Sequence, residues 1–237
     1  MFQTDPFALI IVLVGLSLIP FVAMIATSYL KIVVVMSLIR NALGIQSIPP
    51  NMVINALAMI LTFYIMAPVM SESWNVISES QKARAAAQGA QVAAQAFNSQ
   101  NHQVSSIDLS SLELEKASEP FRQFLSDHTA PRERAFFVKT AEMLWSKGDE
   151  PAVVDPESFW ILLPSFCVSE LTKAFQIGFL VYLPFIAIDI IVSNILLAMG
   201  MMMVSPVTIS LPFKLLLFVM VNGWTLLIQG LVKGYLL

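Results

Sequence analysis

The chain has 237 residues, 57% of them hydrophobic and 12% charged, with a formal net charge of −3. Soluble domains carry about 25% charged and about 45–50% apolar residues, so a single soluble globule, a disordered chain and a disulfide-stapled secreted module are excluded. Cys167 stands alone and cannot form an internal disulfide, and the mildly acidic balance offers no footprint for nucleic acid.

From the N-terminus, the leader Met1 to Pro6 holds one acid and no base, and no A-x-A site follows the apolar run Phe7 to Ala26. That run therefore reads as a retained helix and not as a cleaved signal peptide. Its 20 uncharged residues are long enough to span a hydrocarbon core of about 30 Å. Thr4 or Asp5 ahead of Pro6 suits a helix start, since Pro fits the first helical position and an acid faces the positive dipole end. Ser28 to Leu43 reads as a second helix bearing Lys31 and Arg40 and stopped by Gly44; Ile48-Pro49-Pro50-Asn51 then turns the chain. Lys31 and Arg40 are nine residues apart and so fall on opposite faces, where both are expected to snorkel to the interface. Met52 to Met70 is again uncharged.

The character then changes. Residues 72–157 hold 13 of the 16 acids and 8 of the 13 bases. The organisation expected is an N-terminal apolar helical hairpin (1–71), a small polar, mostly helical insert (72–157) and a C-terminal apolar hairpin (158–237). Within the insert, the Ala/Gln-rich stretch from Ser80 to Asn101 reads as a helix with a weak apolar face or as a flexible arm. Glu113 to His128 places Leu114, Ala117, Phe121, Phe124 and Leu125 at helical spacing, and Ala135 to Trp145 repeats the pattern before Gly148-Asp149-Glu150-Pro151 ends it.

Phe159 to Val168 is apolar and leads into Glu170 and Lys173. Ala174 to Val204 carries a single charge, Asp189; Ser205-Pro206 breaks it, and Val207 to Leu231 follows with a lone Lys214. Prolines 20, 68, 164, 184 and 212 are expected to kink their helices. The fold class is all-α: an integral-membrane type of two long Pro-broken hairpins. Basic residues near the short connections place those inside and the insert outside.

No enzyme signature is visible. His102 and His128 lie 26 residues apart without a ligand cluster, and neither a phosphate loop nor a nucleophile elbow occurs; no metal or cofactor is expected. Asp189 is costly inside an apolar helix unless it is paired, protonated or facing a wet cavity. It supports either a proton or cation site in a small-ion transporter or a structural partner for Lys214, Arg40 or a neighbouring subunit. Glu170 and Lys173, three apart, share a helix face and can pair. In Met199-Gly200-Met201-Met202-Met203-Val204-Ser205-Pro206, four of the chain's 13 methionines fall within five positions. Ordinary lipid-facing or core methionine is one reading, and a Cu(I) thioether site another. The sharper reading joins the Met run to the helix break at Gly200, Ser205 and Pro206. Irregular backbone at membrane depth is tolerated where it is buried in protein or lines a cavity, and pliable methionines can close such a cavity as a gasket.

RNALG at 40–44, PPN at 49–51, SELTKAFQIGF at 169–179, YLPF at 182–185 and MGMMMVSP at 199–206 occur together and in order. With them, residues 27–69 and 162–227 strongly resemble the FliP/SctR family, core export-apparatus proteins of type III secretion systems, and Ser205-Pro206 and the uncleaved leader resemble its injectisome branch. The resemblance implies a non-enzymatic gate in the bacterial inner membrane: a pentamer-like homo-oligomer with two smaller hydrophobic subunits and other secretion-system components, raised toward the periplasm and passing unfolded secreted proteins. It places the gasket on Met199, Met201, Met202 and Met203, makes Lys31, Arg40, Glu170, Lys173, Asp189 and Lys214 inter-helix or inter-subunit contacts, and leaves Gly44, Pro49 and Pro50 as the hairpin turn.

Overall fold

The computed structural model describes residues 6–45, 48–95, 107–146, 153–201 and 203–236. Among these residues there are eight helices and no strand: α1 (Pro6–Ile25), α2 (Tyr29–Ala42), α3 (Asn51–Gln95), α4 (Ile107–His128), α5 (Pro131–Trp145), α6 (Phe159–Ala198), α7 (Pro206–Met220) and α8 (Gly223–Lys233). The protein is all-α, as its apolar periodicity indicates.

Local chemistry sets several of these boundaries. Gly44, at φ +78°, ends the α2 region, and Gly200, at φ +73°, follows α6; both are left-handed positions that glycine takes without a Cβ clash. Pro131 and Pro206 open α5 and α7, where a missing N–H costs no helical bond. The uncharged run of 52–70 continues without a turn into the Ala/Gln-rich part, giving one helix of 45 residues.

Prolines 20, 68, 164, 184 and 212 all lie inside helices. Between consecutive helices, the chain bends by 58° from α1 to α2 and by 59° from α7 to α8. The first bend has a packing cause. Ala26 and Ser28 are fully buried, whereas the residues from Leu13 to Ile25 are exposed, so the chain turns where it leaves the bundle. At the second, Asn222 adopts φ 52°, the left-handed conformation that asparagine takes more readily than other non-glycine residues.

α6 is the spine. α2 runs parallel to it, with Lys31 beside Glu170 and Leu38 beside Gly178. α4 is parallel too, pairing Phe121 with Phe159 at 6.3 Å and Phe124 with Phe166 at 5.8 Å between ring centroids. α7 and α8 return antiparallel, bringing Lys214 to Asp189, Phe218 to Phe185 at 6.3 Å and Tyr235 to Glu170. One core joins both apolar blocks: Ile32, Val35, Met36 and Ile39 of α2, Ala58 of α3, Ala174 and Phe185 of α6, Phe218 of α7 and Leu231 of α8. A second joins Met66 of α3, Phe124 and Leu125 of α4, and Leu162 and Phe166 of α6. Small residues make the approach to α6 close: Ser165, Ser169, Ala174 and Gly178 are buried along it, the pattern by which helices pack when apolar lipid removes the hydrophobic drive between them.

Asn51–Lys82 and Phe159–Ala198 are long and apolar enough to cross a membrane, and each bent pair adds a further candidate span. The 40 residues of α6 measure about 60 Å, twice a hydrocarbon core of about 30 Å.

Candidate functional site

Two carboxylates on α6, Glu170 fully buried and Asp189 partly exposed, each hold a lysine, and each lysine caps the end of a helix lying parallel to the spine. In the first lock, Lys214 Nζ is 2.6 Å from Asp189 Oδ2 and donates to the carbonyl of Ala42 at 3.2 Å. Ala42 is the last residue of α2, where orphan carbonyls and the helix dipole favour a cation. Ser210 donates to the other carboxylate oxygen, Oδ1, at 2.6 Å. In the second lock, Lys173 Nζ lies 3.2 Å from Glu170 Oε1 and donates to the carbonyl of His128 at 2.7 Å, the last residue of α4.

Glu170 carries more than one lysine. Lys31 Nζ sits 3.0 Å from Oε2, with 3% of its side chain exposed and none of that of Glu170. The Tyr235 hydroxyl donates to the same oxygen, and Lys31 Nζ lies 3.5 Å from the centroid of the Tyr235 ring, a cation–π distance. Burial first, and then the Glu170 charge, push the Tyr235 phenol well above its usual pKa, so it stays a donor. Two cations and a phenol thus satisfy one buried carboxylate. Charges this far from water need such partners, because an unpaired one costs several kcal/mol. Lys31 therefore does not snorkel outward, as its sequence context suggested; α6 packed over α2 removes its route to water and supplies Glu170 instead. Ser169 adds a neutral tie, accepting the Ala130 N–H at 2.9 Å at the entry to α5.

Arg40 faces the other way, onto the hairpin turn. It donates to the Pro49 carbonyl at 3.4 Å and to the Asn51 side chain, while the Pro50 carbonyl accepts the Val53 amide in the first turn of α3 at 2.9 Å. Arg40 of α2 is thus tied to the start of α3 through Pro49 and Asn51.

The methionine segment lies at the far end of α6. Met199 and Met201 are 58% and 47% exposed and Met203 is fully exposed; Met202 lies outside the described residues. The chain turns at Gly200, closes through Met201 N–H to the Leu196 carbonyl at 2.9 Å, and re-enters helix at Pro206 after an extended Ser205. Met199 also borders an apolar cavity of about 370 Å³ between α6 and α7, with Ile195, Ile209 and Phe213. Among the described residues no three His, Cys, Asp or Glu side chains gather as a metal site.

The geometry brings Lys31, Glu170 and Lys173 into one cluster and Asp189 and Lys214 into another, with Arg40 and the Met segment apart from both. Sequence reading missed Tyr235 and Ser210. Neither stands out: a tyrosine near a chain end and a serine in an apolar helix are ordinary, and only the fold puts a carboxylate beside each.

Residues 12–231 match the FliP family. The chain is 48% identical over 233 residues to Yop proteins translocation protein R of Yersinia pestis, covering 98% of this chain and 97% of that protein. It is 45% identical to hypersensitivity response secretion protein HrcR of Ralstonia nicotianae, covering 96% of each. It is 43% identical to virulence protein YscR of Salmonella typhimurium, covering 98% of this chain and 97% of that one.

Proposed function

The chain belongs to the FliP family, and from that membership we propose that it is a pore-forming subunit of a type III secretion export apparatus. It is a membrane protein of the protein-secretion machinery and not an enzyme. On this reading it lies in the bacterial inner membrane as a pentamer-like oligomer with two smaller hydrophobic subunits. Unfolded secreted proteins cross through the centre, and the segment 72–157 is the insert facing the periplasm between the hairpins 1–71 and 158–237.

The observation that carries the reading is the placement of the methionines. Met199, Met201 and Met203 project, exposed, from a turn at the end of the longest apolar helix of the second block. Flexible thioethers there, with Met202 between them, form a deformable ring when several copies meet. Such a ring seals against ions and yields to varied polypeptide. A spine of about 60 Å supports a body reaching beyond the bilayer. The locks at Glu170 and Asp189 supply rigidity behind the gate, with Arg40 stiffening the turn at Gly44, Pro49 and Pro50. The pairing of Asp189 with Lys214 and Ser210, one partner on each oxygen, favours a structural role over ion carriage.

The test is to replace Met201, Met202 and Met203 together by Ala in the assembled complex and to measure small-ion conductance of the resting membrane. Leak with assembly intact is expected; a tight membrane with unchanged secretion overturns the gasket.

A further inference from the structure

The arm made by α7 and α8 is fastened to the spine at two separate places. Near its start, Lys214 is bound to Asp189 at 2.6 Å. Beyond its end, Tyr235 donates to Glu170 while its ring lies against Phe124 and His128, at 6.1 and 5.1 Å between centroids. Among the described residues this is the one side-chain hydrogen bond that 223–236 makes to another element. Between the two fastenings the arm bends by 59° at Asn222, which is exposed, left-handed at φ 52°, and makes no side-chain capping bond. Beside the bend an open apolar cleft of about 600 Å³ runs between arm and spine, bordered by Val181, Gly223 and Leu227, while Phe218 and Leu231 keep the arm packed on Phe185 and the core.

A helix hydrogen-bonded at its far end, bent at a single left-handed residue and flanked by an open apolar cleft has room to move once that end is freed. We propose that Tyr235 is a latch. With the Tyr235 hydroxyl on Glu170, α8 is held with Leu231 in the core of α2, α6 and α7; with that bond broken, α8 swings about Asn222 while Lys214 keeps α7 in place. The hub is suited to release, because Glu170 retains Lys31 and Lys173 when the phenol leaves and no buried charge is stranded. The latch concerns the end of the arm away from the methionines and stands whether or not the gasket reading does.

The experiment is amide hydrogen exchange, read by mass spectrometry on the full-length chain in mild detergent. Tyr235→Phe keeps the ring and loses only the hydroxyl. Amides of 224–233 are expected to exchange about tenfold faster, the effect of losing a hydrogen bond to a charged group, with 208–220 unchanged. Lys214→Met is expected to reverse the pattern, loosening α7. Unchanged protection of α8 in Tyr235→Phe overturns the latch, and so does equal acceleration of α7 and α8, which means the arm has no hinge. If Tyr235→Phe fails to fold, a chain ending at Gly234 removes the same anchor; native protection of α8 in that chain overturns the proposal too.

Discussion

Glu170 answers to three donors, and the consequence is an asymmetry between it and its partners. Removing Lys31 leaves the carboxylate paired with Lys173 and bonded to Tyr235. Removing the carboxylate strands Lys31, whose side chain is 3% exposed, as a buried cation. Glu170→Gln is therefore expected to cost about 3–5 kcal/mol, the loss typical of a buried ion left without its partner. Lys31→Met is expected to cost less than half of that. Thermal unfolding of the purified protein in mild detergent checks this, and equal losses from the two variants would show that Lys31 is not desolvated. Glu170 and Lys173 were legible as a pair, because three residues on one helix share a face whatever surrounds them. Lys31 and Tyr235 were not, since they meet Glu170 only across helices far apart in sequence.

At the scale of elements, α2 and α6 lie so close that a Cβ built on Gly178 would overlap Leu38 Cδ1 and stand 3.2 Å from Leu38 Cβ. The tip of Leu38 can rotate away; its Cβ moves only if the helices part. Gly178→Val is thus expected to destabilise the bundle by about 1–3 kcal/mol through overpacking, and Leu38→Ala in the same chain to recover part of that loss, both read from the melting temperature. The helices themselves were legible in outline, since apolar runs, Gly44 and Pro206 mark where they start and stop. Their bends were not. The two large bends between helices sit at Ala26–Ser28 and at Asn222. There, burial on one side and exposure on the other, or a left-handed residue, set the direction of the chain.

For the whole molecule, the decisive feature is how much apolar surface it leaves open. Leu13, Val14, Leu16 and Phe21 of α1 are each at least half exposed, as are Phe175, Phe179, Leu180, Ile190 and Ile191 along α6. Soluble monomers rarely expose contiguous apolar patches beyond a few hundred Å², so lipid or other subunits cover these faces. Under the export-apparatus reading much of the cover is protein. Purification in mild detergent followed by mass measurement of the intact particle is then expected to give several copies with smaller hydrophobic subunits. A lone monomer or simple dimer would count against that reading.

Composition and charge placement determined the membrane class, the helical fold and the concentration of charge in one insert, because these depend on counts and on periodicities of a few residues. The ordered motifs from RNALG to MGMMMVSP likewise determined the family, being contiguous in the chain. The tertiary structure decided where the few remaining charges go. Asp189, open in sequence to a transport site or a structural contact, meets Lys214 and Ser210. Lys31 turns inward to Glu170, and both Lys173 and Lys214 find the ends of helices they do not belong to. An ion in an apolar helix states only that it needs a partner; which partner it finds depends on the packing of α2, α4 and α7 around α6, and that is a property of the folded whole.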